Sequence, residues 1–265
     1  MTKFESHEPN SLTEILSIVE SYQSVREVVW YRGVNNETHN LAPSIVRLPN
    51  SPKEEDIIKI EKEIYATFSQ RSPPFIEKDF SNSWRSLFFM QHYGIPTRLL
   101  DWSESPFVAL YFALSSVQRT QTGKPQKDVA MWLCDPIAWN RTALSHITYK
   151  GEILDENCEE IKAYSPGTEI DHRATKPVMI YGTHNSPRIV AQRGVFALFG
   201  KGLTPMEKIF EDEAFSKDIL TKVIIKKEHI DGVLKSLFQK GITESVIFPD
   251  LQGLALEIRR KFGYK

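Results

Sequence analysis

Two places in this sequence hold residue types suited to binding and chemistry: Tyr31-Arg32-Gly33, and the run His92-Tyr-Gly-Ile-Pro-Thr97-Arg98-Leu-Leu-Asp101-Trp102-Ser103. Arg32 and Arg98 are forked cations, the best side chains for a phosphate or diphosphate. Asp101 is the first candidate for a carboxylate that opposes positive charge developing on a substrate. Asp250 is the second, although after Pro249 it also reads as a helix cap. Trp102, Tyr31, Tyr93 and Phe196 offer aromatic faces. His92 has the titration range of a general base, and just before Gly94 it equally suits the last carbonyls of a helix. Gln192 is an amide that either reads a ligand or ties a bulge. The other polar groups also have plainer readings. Arg32 and Asp101 suit a buried ion pair, Arg98 suits a cap on loop carbonyls, and Trp102 suits a core position.

The elements that must position these groups are legible in part. Ser105-Pro106 is an N-cap followed by proline at the first helical position. Phe107 to Leu114 then run with no polar face, which predicts a central helix buried on all sides. Leu12, Ile15, Leu16 and Val19 after Ser11 predict an amphipathic helix ending near Tyr22, and residues 1–10 read as a loose lead-in. Val28 to Tyr31 reads as a strand stopping at Arg32-Gly33. Ser51-Pro52-x-Glu54 reads as a helix start, with Ile57, Ile64, Tyr65 and Phe68 as its buried stripe. A short helix through Trp84, Leu87 and Phe88 delivers Gln91 and His92 to the stop at Gly94. Strands are expected at 129–133, 178–181 and 222–227. A strand pair with a bulge is expected over Arg188 to Leu198, and a short strand over Ser245 to Phe248. Helices are expected through Ile230–Phe238 and Leu251–Ile258. Residues 136–176 carry little readable pattern. Strands and helices intersperse without strict alternation, so the expected fold class is α+β: one domain, with a mixed or antiparallel sheet around the buried central helix.

Composition excludes several classes. The 265 residues are 41% hydrophobic and 25% charged, with a formal net charge of -1, which gives no global electrostatic case for nucleic acid or an anionic membrane. Lys226-Lys227 and Arg259-Arg260-Lys261 read as solvated element ends. Cys134 reads as a core thiol, and the scattered histidines give no metal-ligand spacing. No glycine-rich phosphate loop is present. The acid-x-acid pairs Glu61-Lys-Glu63 and Glu211-Asp-Glu213 read as solvated faces. The polar start MTKFESHEPN reads as a cytoplasmic chain without a secretory leader.

Several stretches together resemble the FRG domain. They are Trp30-Tyr31-Arg32-Gly33, Leu41-Ala-Pro43-Ser44-Ile-Val-Arg47, Gln91 to Ser103, Pro106 to Ala113, Arg188 to Phe196 and Phe248 to Leu254. The resemblance spans roughly residues 11–262, and the expected domain is 11–265. Its layout is similar, at a distance, to the ADP-ribosyltransferase superfamily, and that likeness implies an ADP-ribosyltransferase-like fold. Arg32 would take the place of the first-strand cation, and Thr97 to Ser103 that of the polar segment before the buried helix. Gln192 stands where a late-strand catalytic Glu would be sought. The resemblance implies NAD as substrate and no metal. Arg32, Asp101 and Gln192 are then candidate catalytic residues. Tyr31, Gly33, His92, Thr97, Arg98, Trp102, Ser103 and Phe196 are candidate binding residues. Cleaving the nicotinamide–ribose bond passes through an oxocarbenium-like state, as glycoside cleavage does. Three functional classes are weighed. One is an NAD-consuming transferase or hydrolase acting on a protein or RNA target, by analogy in phage defence or as a toxin. The second is a non-catalytic module binding a nucleotide or a nucleotide-bearing partner. The third is a binder of RNA ends.

Overall fold

The structure, a computed structural model, describes residues 3–47, 53–76, 83–166, 168–183, 186–212 and 215–264. Glu5–His7 forms strand β1, so part of the expected loose lead-in is ordered by pairing. Helix α1 (Leu12–Gln23) starts where Ser11 accepts a hydrogen bond from the Glu14 amide, and it buries Leu12, Ile15, Val19 and Tyr22. Strand β2 (Trp30–Val34) does not stop at Arg32-Gly33 but runs through them. Helix α2 (Glu54–Arg71) starts with the Lys53 amide donating to Asp56 at 3.0 Å. The expected cap at Ser51-Pro52 lies outside the described residues. The buried residues of α2 are Ile57, Ile58 and, against expectation, Glu61.

Helix α3 (Ser83–His92) ends as Gly94 turns back at φ +74°, a backbone region that suits glycine. Leu99–Ser103, not recognised as a strand from sequence, is β3, and Pro106–Ser115 is the central helix α4. Ser105 caps α4 through the Val108 amide, and Val108 to Tyr111, Ala113 and Leu114 are buried. Strand β4 (Val129–Cys134) is buried throughout, and helix α5 (Pro136–Ala143) follows it, capped by Asp135. The poorly legible stretch after α5 is short 3-10 turns, Glu159–Tyr164 and Ile170–His172, leading to β5 (Val178–Ile180).

The expected strand pair over Arg188 to Leu198 is instead helix α6 (Pro187–Gln192), a left-handed turn at Arg193 (φ 45°), and strand β6 (Gly194–Leu198). Ser186 caps α6 and Pro187 takes its first turn, a local start signal that outweighs the alternating pattern. Helix α7 (Met206–Asp212), strand β7 (Leu220–Ile225) and helix α8 (Ile230–Gln239) follow. The expected strand over Ser245 to Phe248 is a single helical turn, α9 (Glu244–Ile247). Helix α10 (Leu251–Lys261) is capped by Asp250, whose carboxylate accepts from the Gly253 amide at 2.7 Å.

The fold class is α+β. Among the described residues the strands form one sheet in the order β1-β7-β4-β2-β3-β6-β5, parallel only between β1 and β7. Its central strands alternate. Tyr31, Met131, Leu133 and Val223 face the cluster that α1, α4 and α8 complete. Trp30, Val34, Trp132 and Cys134 face the other. Among the described residues no helix is long and apolar enough to cross a membrane.

Cys134 is a free, fully buried thiol, and burial pushes its pKa well up. An uncharged thiol out of solvent does not react. A thiol reagent is therefore expected to label only Cys158 in the native chain and both cysteines in denaturant, as counted by intact-mass spectrometry.

Candidate functional site

The sheet is tightly laddered on both sides of its centre but not at the centre itself. β2 pairs with β4 from Trp30↔Cys134 to Val34↔Ala130, and β3 pairs with β6 from Leu99↔Leu198 to Ser103↔Gly194. Between β2 and β3 the register has one pair, Tyr31↔Ser103. Beyond it the strands diverge, and the Arg32 guanidinium spans the gap, its Nη1 donating to the Asp101 backbone carbonyl. The expected side-chain ion pair is thus not the contact made. The Asp101 carboxylate instead accepts from Gln91 Nε2 at 2.9 Å, and Gln91 Oε1 accepts from the Thr97 hydroxyl at 2.6 Å. Asp101 itself is exposed.

This split opens a cleft of about 1020 Å³, at the upper end of the range for small-molecule sites. Tyr31, Arg32, Gly33, His92, Asp101, Trp102, Ser103, Gln192 and Phe196 all line it. Its walls come from the ends of α3 and α4, from α6, and from the loop after β2. Ser103 Oγ donates to the Gln192 carbonyl at 2.7 Å and accepts from the Ser105 amide at 3.0 Å, so one hydroxyl joins β3, the end of α6 and the start of α4. The Gln192 side chain donates to the Ile247 carbonyl at 3.1 Å, which ties the wall to α9. Phe196 is buried against Phe88, with ring centroids 5.4 Å apart, and forms the apolar floor. Trp102 is buried and its indole nitrogen has no hydrogen-bond partner among the described residues.

Thr97 and Arg98 do not line the cleft. Thr97 acts one step behind it, through Gln91. Arg98 is buried on the far side. It pairs with Glu61 and donates to the carbonyls of Phe199 and Tyr164, so its donors are taken up by the scaffold. Arg173 occupies the second oxygen of Glu61 at 2.7 Å. Glu61 therefore lies between two arginines in the core, not on a solvated face as its spacing from Glu63 suggested.

The sequence reading missed several groups that line the cleft. Arg47 ends the Leu41–Arg47 stretch, where no role was assigned to it. Arg188 lies with its guanidinium 4.8 Å from the Phe248 ring centre. Asn35, Asn40, Ser44 and His39 line the same wall as Arg47. Burial, opposed by the charge of Asp101, brings Arg32 down to about 10, with Arg47 contributing in the same direction as burial. Arg32 therefore remains a cation at neutral pH. Burial and the nearby Arg47 and Arg32 lower the pKa of His39, while burial and Arg188 lower that of His92. Both histidines are expected to be neutral at pH 7. The last carbonyls of α3 are met by backbone, those of Gln91 and Met90 accepting from the Gly94 and Ile95 amides, so His92 is not needed as a cap. Asp250 lines the rim while capping α10, leaving Asp101 as the carboxylate of the cleft that holds no helix terminus.

The cleft can therefore hold an anionic ligand between arginines, with an aromatic floor and two exposed carboxylates, Asp101 and the helix-capping Asp250. No curated protein and no solved structure matches the chain. The family model for the FRG domain matches residues 27–122, a stretch that contains β2, α3, β3 and α4, and so most of the residues lining the split. Within this chain, residues 27–122 are the part identified as an FRG domain.

Proposed function

We propose that the cleft binds a dinucleotide of the NAD type and cleaves its nicotinamide–ribose bond, as an ADP-ribosyltransferase-like enzyme would. The observation that carries this reading is the split between β2 and β3, which gathers Arg32, Asp101, Ser103 and Gln192 at one mouth. Arg32 and Arg47 supply cations for the diphosphate. The bond from the ribose anomeric carbon to the ring nitrogen breaks, and its electron pair leaves with neutral nicotinamide. The Asp101 carboxylate, oriented by Gln91, opposes the charge left on the sugar. An oxygen nucleophile, from water or from a protein or RNA acceptor, then attacks the sugar carbon and gives up its proton. Consumption of a central dinucleotide is chemistry through which a toxin or a phage-defence protein would act.

Gln192 favours a second reading, binding without chemistry. Sought from sequence as the counterpart of a late-strand Glu, it instead ends helix α6, two residues before β6, and its amide is committed to the Ile247 carbonyl. One experiment separates the two. Purified protein is incubated with NAD, with and without cell lysate, and free nicotinamide is measured by chromatography. Wild type is expected to release nicotinamide. Arg32→Ala and Asp101→Asn are expected to lose roughly 10²-fold or more, the scale of removing one charge-stabilising group. A rise in melting temperature with NAD and no release from wild type would establish the binding reading instead.

A further inference from the structure

Buried N–H groups in a folded chain normally find an acceptor. Several at the centre of this sheet do not. Arg32 Nε and the indole nitrogens of Trp30, Trp102 and Trp132 are buried with no hydrogen-bond partner among the described residues. The strand pairing groups them on one face. Trp30 and Arg32 lie two residues apart on β2, and Arg32 pairs with Trp132 on β4. On the other side, carrying the Tyr31↔Ser103 pairing one step further sets Arg32 across the split from Trp102. The three tryptophans belong to the same core cluster. Of these four residues, Arg32 and Trp102 line the cleft.

Asp101 does not supply the acceptor. Side chains alternate along β3, so its carboxylate leaves on the other side from Trp102, and there Gln91 holds it. At the split, then, two buried donors stand on facing strands, one of them part of a cation. A group entering there gains most if it brings a negatively charged oxygen, because hydrogen bonds to an ionised acceptor are the strong ones. Donors fixed in advance around such an oxygen need no rearrangement of water to receive it. Arg47, which also lines the cleft, offers a second cation to a second oxygen.

We propose that Arg32 Nε and Trp102 Nε1 together seat one phosphate oxygen of the ligand, which makes Trp102 a determinant of specificity for the diphosphate. Both nitrogens are closed to water. The oxygen reaches them as the Arg32 guanidinium turns off the Asp101 carbonyl and the gap between β2 and β3 takes it in. The proposal rests on the dinucleotide reading for the identity of the ligand, but not on cleavage of any bond.

Calorimetric titration with inorganic pyrophosphate at fixed ionic strength tests it, using wild type, Trp102→Phe and Trp132→Phe. Wild type is expected to bind. Trp102→Phe keeps an aromatic ring in the core but has no N–H, and is expected to bind roughly tenfold more weakly or worse. Trp132→Phe loses an equally partnerless N–H away from the cleft and is expected to bind like wild type. The indole N–H resonances of wild type give a second readout that needs no substitution. That of Trp102 is expected to move downfield as pyrophosphate is added. That of Trp139, which already donates to the Pro177 carbonyl at 2.9 Å, is expected to stay. A wild type that does not bind pyrophosphate overturns the proposal. So does a Trp102→Phe chain that binds as tightly as wild type, a Trp132→Phe chain weakened equally, or a Trp102 resonance that stays put at saturation. Pyrophosphate binding that depends on Trp102, without release of nicotinamide from NAD, would uphold the seat and count against cleavage alone. Nicotinamide release with a KM for NAD unchanged in Trp102→Phe would do the reverse.

Discussion

Glu61→Ala is expected to destabilise the fold by about 3–5 kcal/mol, roughly a fifth or more of the stability of an ordinary domain. The reason lies in what the substitution leaves behind. Glu61 is the shared carboxylate of two buried arginines, Arg98 and Arg173. Burial already lowers the pKa of Arg98, and Glu61 opposes that shift. Removing Glu61 leaves two like charges in the core with nothing between them. Arg98 also holds the Phe199 and Tyr164 carbonyls, so its displacement would loosen the ends of β6 and the Glu159–Tyr164 turn together. Urea denaturation of wild type, Glu61→Ala and Glu63→Ala would check this. Glu63, two residues away and exposed, is expected to change stability by less than about 0.5 kcal/mol.

Gly33→Ala is expected to be at least as damaging to the cleft. A Cβ at Gly33 would lie 1.8 Å from the Ala109 carbonyl oxygen and 2.8 Å from the Ala113 amide nitrogen. Both atoms are backbone of the central helix, so no side chain can rotate out of the way. Either α4 lifts from β2 or β2 shifts against its neighbours, at a cost of about 3 kcal/mol or more. The expected result is a poorly folded chain, or one whose near-ultraviolet circular dichroism shows lost packing. Gly232→Ala is the control. It lies exposed in α8 with nothing within 4 Å of the added carbon, and it should stabilise by up to about 1 kcal/mol. Gly33 therefore owes its place in the aromatic-Arg-Gly triplet to helix packing. It lines the cleft because the helix comes so close there.

Local signals in the sequence were reliable wherever they were complete within a few residues. Ser11, Ser105-Pro106 and Asp250 all cap the helices they predicted, and the apolar run after Pro106 is the buried central helix. Short elements escaped the reading. α6 and α9 have six and four residues, too few for a helical period to show against an alternating one. The buried role of Glu61 also left no local trace. Its partners lie 37 and 112 residues away, and a charge triplet at helical spacing looks the same whether or not arginines cover it.

By itself, then, the sequence determined the fold class, the central helix and nine of the residues that line the cleft. These follow from caps, periodicity and a motif confined to short stretches of chain. Tertiary structure alone decided that β2 and β3 part after one pair, that Arg32 reaches the Asp101 carbonyl and not its carboxylate, and that Arg98 belongs to the core. Whether an arginine faces a ligand or a buried glutamate depends on which distant strand or helix arrives beside it. That is settled by packing of the whole sheet, not by the residues on either side.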